Sequence, residues 1–178
     1  MKINIVLYSF VISVLFVFSG CSHSNVKVSN DTLKPKNPAG IFVPVFKNNS
    51  LKPAANEYIT ESFIDITAAS KLFVITDKNN AEYEISGEVV SYSVSKQALD
   101  YYDSPQMKRL DVAVSYILKR KTKNNSFQEI LNKTESGFAV FSETGISNES
   151  EKETAEKLYR ILTLKIFDKL KRTVYAAD

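Results

Sequence analysis

The fold of this chain is decided by the stretch Leu110-Asp111-Val112-Ala113-Val114-Ser115-Tyr116-Ile117-Leu118. Its even positions are all large and apolar, while Asp111, Ala113 and Ser115 fall between them. Successive side chains of a strand point to opposite faces of a sheet, so a period of two predicts a long strand with one buried face. We therefore expect a sheet that is covered on one side.

Further strands are predicted on both sides of this stretch. In residues 83–94 the apolar positions change parity between Gly87 and Val90, which indicates a bulge or a strong twist. The run 123–126 is polar and predicts a hairpin turn before a last, less regular strand at about 127–141. Near the start of the domain, residues 40–46 form a β-branched and aromatic run, and Pro44 within it predicts an edge or bulged strand. Residues 73–76 predict a short strand.

Two helices are predicted. The first spans about 54–70, with Ile59, Phe63 and Ile66 on one face. The second spans about 150–173 and begins with a capping box formed by Ser150 and Glu153. Its apolar face consists of Leu158, Ile161, Leu162, Ile166, Leu170 and Val174. A basic amphipathic helix of this kind also suits a membrane surface, but in this order of elements we expect it to cover the sheet.

These elements predict an α+β fold in which two helices pack on one face of a mostly antiparallel four-stranded sheet, in the order β-α-β-β-β-α. The short run at 73–76 leaves room for one additional strand.

Cys21, the only cysteine, defines the organisation of the N-terminal region. It follows Lys2, an apolar stretch at residues 3–18 and the small pair Ser19-Gly20, the arrangement of a secretory signal peptide. A cysteine at this point resembles the lipobox of a bacterial lipoprotein, in which the thiol and the new amino terminus carry acyl chains such as palmitate. We therefore predict a signal peptide at 1–20, a lipid-anchored flexible tether at 21–39 and one domain at 40–178.

Composition restricts the partners of the chain. Lys2 is the only charged residue before Cys21, so cleavage lowers the net charge from +3 to +2. This charge is too small to predict nucleic-acid binding. With one cysteine an internal disulfide is excluded, and the fold must rest on its hydrophobic core.

The sequence gives no sign of catalysis. It has no nucleophile elbow, glycine-rich phosphate loop or metalloprotease motif, and its one histidine lies in the predicted tether. Asp100, Asp103 and Asp111 could be considered as a cation site, but solvated loop carboxylates are the preferred interpretation. We predict a protein that is not an enzyme and that needs no metal and no cofactor besides the lipid on Cys21.

One cluster of charge carries a binding hypothesis. Lys119, Arg120, Lys121 and Lys123 lie at the predicted hairpin turn, and no acidic residue occurs between Asp111 and Glu129. Arg and Lys at such a position can bind phosphate groups, Arg through a bidentate fork. The alternative is a solvated turn whose lysines discourage edge-to-edge aggregation.

Two segments carry a family resemblance. Residues 41–48 with Pro53, followed by a helix and then by residues 81–89, resemble the LPS-assembly lipoprotein LptE family. The similarity covers about Gly40 to Tyr175. It implies an outer-membrane lipoprotein, facing the periplasm, that plugs an LptD-type β-barrel and helps deliver lipopolysaccharide. Basic residues at Lys119 to Lys123 would then suit the phosphates of lipid A.

A tethered regulator is the alternative to a barrel plug. Penicillin-binding-protein activators and curli-secretion lipoproteins share a similar strand-helix-strand opening. The short tether disfavours an activator that must cross the cell wall, and the charged turn at 119–123 disfavours a pore former. Ser22 after the cysteine favours the outer membrane, by analogy with lipoprotein sorting in related bacteria.

Overall fold

The computed structural model describes residues 37–99, 105–142 and 150–175, all within one compact unit, Leu33–Asp178. The predicted signal peptide, Cys21 and most of the predicted tether lie outside these residues. The strands and helices, in chain order, are β1 (Ala39–Phe42), β2 (Lys47–Asn48), α1 (Ala55–Ser70), β3 (Phe73–Ile75), β4 (Tyr83–Leu99), β5 (Pro105–Lys121), β6 (Phe127–Phe141) and α2 (Glu151–Tyr175).

The sheet is mixed and has six strands, so the prediction of four mostly antiparallel strands is wrong in number and in part of the pairing. Its order is β3-β1-β4-β5-β6, and β2 also pairs with β4. β4, β5 and β6 form an antiparallel meander, whereas β1 runs parallel to both β3 and β4, and β2 runs parallel to β4. The additional strands are β2 and β3, which have two and three residues. Each pairs in parallel with a strand that lies on the other side of α1 in the chain.

The parity change in β4 is a bulge, as predicted. The β4–β5 register shifts between Val89 and Ser91. Val89 is fully buried before the shift, and after it the hydroxyl of Tyr92 donates to Glu151 of α2 at 2.7 Å. The bulge therefore lets Val89 and Tyr92, which differ in parity, both face the helices.

Pro44 was predicted to lie in an edge or bulged strand, and the pairing fits the second alternative: from Phe42 to Lys47 the chain advances five positions, while its partner β4 advances four, from Glu84 to Glu88. β1 lies between β3 and β4 and ends at Phe42, so Pro44 falls in the interruption before β2. This interruption turns Phe46 into the core, where its ring lies on Gly87 of β4. A Cβ at Gly87 would come within 2.3 Å of that ring, so only glycine fits there without movement.

Both helices pack on the face of the sheet that carries the even positions of β5. Leu110, Val112, Val114, Tyr116 and Leu118 are buried, as the sequence predicted. The two helices also contact each other, through Ser62 Oγ and Thr163 Oγ1 at 2.9 Å and through stacked Tyr58 and Tyr159 rings. A single hydrophobic core therefore lies between one helical layer and one sheet.

The helix ends differ in how they are formed. The predicted capping box is present in α2, where Glu153 accepts from the Ser150 N–H at 2.9 Å and Ser150 Oγ accepts from the Glu153 N–H. α1 instead begins after Ala54 in a left-handed conformation with no side-chain cap. Two predicted core residues are not buried: Ile66 is intermediate, and Ile161 is 50% exposed.

Candidate functional site

The four predicted binding residues lie at one end of the sheet, around the β5–β6 hairpin. Lys119, Arg120 and Lys121 end β5, and Lys123 lies in the turn. The turn is closed by the Thr122 N–H, which donates to the Ser126 carbonyl at 2.8 Å. Asn125 adopts a left-handed conformation there (φ 57°), which Asn tolerates better than most residues.

Strand alternation divides the four residues between two faces of the sheet. Arg120 has the parity of the buried positions and lies over the Tyr83 ring, with its guanidinium carbon 5.9 Å from the ring centroid. Lys119 points to the opposite, outer face, where its ammonium lies 3.3 Å from Glu84. The structure therefore does not bring the four cations together on one surface.

Glu84 also belongs to this sheet end, although the sequence did not predict it. It is only 6% exposed, and its two carboxylate oxygens lie 3.3 Å from Lys119 and 3.1 Å from Lys78. Burial alone would raise the pKa of the Glu84 carboxyl, but the hydrogen bonds and charges of Lys78 and Lys119 outweigh burial and lower it. An ionised Glu84 thus neutralises much of the charge of Lys119.

Lys121 also forms hydrogen bonds to neighbouring segments. Its ammonium donates to the Asn79 carbonyl, and its backbone N–H donates to the Glu82 carbonyl at 2.8 Å. The loop that receives it is ordered by Asp77, whose pKa is lowered mainly by a hydrogen bond from the Asn80 side chain. Lys123 is exposed and enters no salt bridge with any described residue.

The sheet end is therefore more evenly charged than the sequence indicates. β5 alone supplies only basic residues there, but the neighbouring segments supply Asp77, Glu82 and Glu84, and Glu129 of β6 pairs with Lys119 in the ladder. They also supply one more cation, Lys78, which lies 5.8 Å from the centre of the Phe127 ring. Of the four predicted residues, only Lys119 has a carboxylate partner among the described residues.

The far end of β5 holds a closed ion pair. Arg109 donates to Asp111 through Nε and Nη2 at 2.7–3.0 Å, and its guanidinium lies 4.0 Å from the centre of the Phe138 ring. Asp111 is thus occupied, while Asp100 and Asp103 lie outside the described residues. The residues that the structure describes contain no group of acidic, His and Cys side chains able to hold a metal.

A concave surface lies between the two helices. It has a volume of about 390 Å³ and is lined by both tyrosines of the stacked pair and by Glu61, Asp65, Glu156 and Arg160. Burial raises the pKa of the Tyr159 hydroxyl to about 12, so this group stays protonated at neutral pH. The ring centres of Tyr58 and Tyr159 lie 6.4 Å apart, so the side chains that line this surface already form the contact between the two helices.

The comparisons with known proteins identify the family. A model of the LptE family, described as lipopolysaccharide-assembly, matches residues 39–170, which is well over half of the chain. This chain belongs to the LptE family. The matched region includes every strand and most of α2, and it contains all four predicted basic residues. No curated protein sequence matches the chain significantly.

Solved structures share the LptE-like fold at low identity. A hypothetical protein from Chlamydia trachomatis matches with a TM-score of 0.58 and 10% identity, over 79% of this chain and 99% of its own. An uncharacterised lipoprotein B from Nitrosomonas europaea matches at 0.57 and 9%, over 79% and 86%. A protein from Xanthomonas campestris matches at 0.56 and 9%, over 82% and 91%. At these identities the likeness shows the fold alone.

Family membership fixes the broad class of the protein. The LptE family comprises non-enzymatic lipoproteins of lipopolysaccharide assembly, and it has no known cofactor. Within the described ranges no helix combines the length and apolarity that a bilayer crossing requires.

Proposed function

We propose that this protein is an outer-membrane lipoprotein, anchored by acyl chains on Cys21 and facing the periplasm, that plugs an LptD-type β-barrel and assists it in assembling lipopolysaccharide. The observation that carries the proposal is the LptE family match over residues 39–170. The lipobox-like position of Cys21 supports the anchor, because two or more acyl chains hold a protein stably at a membrane.

The partner is tested by purifying the tagged full-length chain from mildly solubilised envelopes and identifying its partners by mass. We expect a large outer-membrane β-barrel in stoichiometric amount. Recovery of a cell-wall synthase, or of no barrel, would overturn the barrel-plug proposal and favour a tethered regulator. Replacement of Cys21 by Ser should move the protein from the membrane fraction to the soluble periplasmic fraction, which tests the anchor separately.

Within this function, the basic sheet end, defined as Lys119, Arg120, Lys121 and Lys123, contacts phosphate groups of lipopolysaccharide from both faces of the sheet rather than as one cluster. We expect its members to contribute unequally. Arg120, Lys121 and Lys123 have no carboxylate partner among the described residues, so they carry the available positive charge. Lys119 is already paired with Glu84, and its contribution to a ligand is the smallest.

The site is tested by reversing the charge of Arg120, Lys121 and Lys123 to Glu in one variant. Lys119 is left intact because a second carboxylate beside the buried Glu84 would disturb the fold. A matched control reverses Lys47, Lys96 and Lys169, which are exposed and lie elsewhere. We expect lipopolysaccharide binding to fall about tenfold or more in the first variant only, with both variants folded by circular dichroism. Equal binding by the two variants would contradict the assignment.

A further inference from the structure

The β6 strand forms one edge of the sheet, and the short β3 strand forms the other. β6 has 15 residues and pairs only with β5 among the described residues. A long free edge presents unpaired backbone groups, and proteins generally shorten, twist or cover such an edge. Here the residues from Asn132 to Ser136 are mostly exposed, so the middle of this edge is accessible to a further strand.

The backbone groups that face this edge can be assigned. The Thr122 N–H donates to Ser126 across the hairpin, so even-numbered residues of β5 direct their backbone groups to β6. Val114 pairs with Glu135, and Glu135 therefore bonds to β5, whereas its neighbours Thr134 and Ser136 direct theirs outward. The ammonium of Lys165 in α2 donates to the Ser136 carbonyl at 3.4 Å, as expected for an outward group, and a pairing strand would share this acceptor with Lys165 or displace it.

We propose that this edge binds the β6 strand of a second copy of this chain, antiparallel and centred on Thr134. In this register Lys133 of one copy lies opposite Glu135 of the other, and the symmetry forms that pair twice. Neither side chain enters a salt bridge among the described residues of a single copy. Opposite charges directly across a ladder stabilise it, whereas like charges destabilise it.

The side chains of β6 disfavour the neighbouring registers of this dimer. Centring on Lys133 places two lysines opposite each other, and centring on Glu135 places two glutamates opposite each other. A register centred between two residues would join the helix face of one copy to the outer face of the other, since side chains alternate along a strand. Only the register on Thr134 pairs opposite charges and keeps both helical layers on the same side.

The local geometry fits this register. Thr134 directs its backbone groups outward, so the two copies of Thr134 form a hydrogen-bonded pair on the twofold axis. Lys133 and Glu135 then fall in the non-hydrogen-bonded pair, where opposite side chains are closest. Ile161 lies one helical turn before Lys165, on the side of α2 next to this edge, and is 50% exposed. Dimerisation would bring the two Ile161 side chains towards the seam.

The self-complementary charges identify the partner as a second copy rather than a strand of another protein. The β5–β6 register shifts at Leu118, where Ile130 is bulged, so regular pairing is limited to the side of β6 after this residue. The symmetric segment around Thr134 then runs from Leu131 to Gly137. The dimer is proposed for the chain outside a barrel, because a barrel plug is a single copy, and its test therefore involves neither a barrel nor a lipid ligand.

Charge exchange tests the register. The full chain is prepared in mild detergent, and its dimerisation is measured by sedimentation. We expect Lys133→Glu and Glu135→Lys each to weaken the dimer by about tenfold, because each variant places like charges opposite each other. The double variant K133E/E135K restores opposite charges and should restore the dimer. Mixing the two single variants should also give a heterodimer. A monomeric parent chain, or a dimer unchanged by the single substitutions, would overturn the proposal.

Cysteine cross-linking tests the centre independently. Thr134→Cys places two cysteines opposite each other at a Cα separation of about 5.5 Å, within disulfide range. Asn132→Cys and Ser136→Cys are matched controls, since each lies opposite the other and not opposite itself. We expect oxidation to link T134C alone, and to link N132C only when it is mixed with S136C. The parent chain, with Cys21 as its only cysteine, is the blank. Linking of T134C no better than N132C alone would contradict the register.

Discussion

The parallel and antiparallel halves of the sheet are stabilised in different ways. In the antiparallel half, β4, β5 and β6 have 15 to 17 residues each, follow one another in the chain and pair along almost their whole length. In the parallel half, β1, β2 and β3 have only two to four residues. Short parallel strands provide few ladder bonds, so this half requires other contacts.

Side chains from the helices supply those contacts. The Phe46 N–H donates to Thr60 Oγ1 at 3.0 Å, and Asn56 Nδ2 donates to the Phe46 carbonyl at 3.0 Å. At the other end of the layer, the Tyr175 hydroxyl donates to the Leu72 carbonyl at 2.6 Å. The comparison indicates that the antiparallel half depends on its ladder, whereas the parallel half depends on individual side chains. Single substitutions should therefore affect the two halves unequally.

The largest effect is expected for Phe46→Ala. Phe46 is 1% exposed, and removal of a buried Phe ring costs about 3–5 kcal/mol because it leaves a cavity. Phe138→Ala, in β6, is the matched control, since that ring is 59% exposed and its main contact is Arg109. We expect it to cost less than about 1 kcal/mol. Urea denaturation measures both free energies, and similar losses would contradict the proposed difference between the halves.

A second, smaller effect is expected where the halves meet, at Gly87. Gly87→Ala should cost about 1–3 kcal/mol, because the new methyl group overlaps the Phe46 ring. In a Phe46→Ala background the same substitution should cost little, since the overlapping ring is absent. A double-mutant cycle measures this coupling. Additive losses would show that Gly87 is needed for another reason.

These contacts explain how much the sequence could predict. Alternation in residues 110–118, the change of parity before Val90 and the polar turn at 123–126 are local patterns, and each element was found at about its predicted place. The central position of β1 was not predictable, because its neighbours are separated from it in the chain by α1 and no local pattern encodes parallel pairing. Pro44 correctly indicated the irregularity between β1 and β2, but it did not indicate that β1 lies inside the sheet.

The candidate site shows the same limit. The four basic residues were located correctly at the hairpin, but their charge balance depends on β4, which places Glu84 opposite Lys119. Glu84 belongs to an alternating strand sequence and looks there like an ordinary solvent-facing residue. Only the strand register, together with the position of the Lys78 loop, reveals that it is buried between two ammonium groups.

The pair at Glu84 gives a pH-dependent prediction in the antiparallel half. Glu84→Gln should lower the free energy of unfolding at pH 7 by about 1–2 kcal/mol, since it removes a buried carboxylate from its two lysines. The folded-state pKa of Glu84 lies below its ordinary value, so its stabilisation is present above the unfolded-state pKa and is lost as the pH falls through the folded-state pKa.

The difference between wild type and Glu84→Gln should therefore be largest near neutral pH and shrink in acid. Urea denaturation at a series of pH values measures it. Glu129→Gln is the control, because Glu129 also lies across from Lys119 but is exposed. A pH-independent difference at Glu84 would show that its shape, and not its charge, matters.

The smallest effect is expected for Tyr175→Phe, which tests the parallel half most locally. The substitution removes one hydrogen bond to the Leu72 carbonyl, just before β3, and should cost about 0.5–1.5 kcal/mol. Tyr58→Phe, at an exposed ring whose hydroxyl has no hydrogen bond among those described, should cost almost nothing. Because β3 has only three residues and depends on this contact, its amides should exchange faster in Tyr175→Phe while those of β5 stay protected. Equal acceleration in β3 and β5 would mean that the two halves open together, and that the antiparallel ladder is no more autonomous than the short strands beside it.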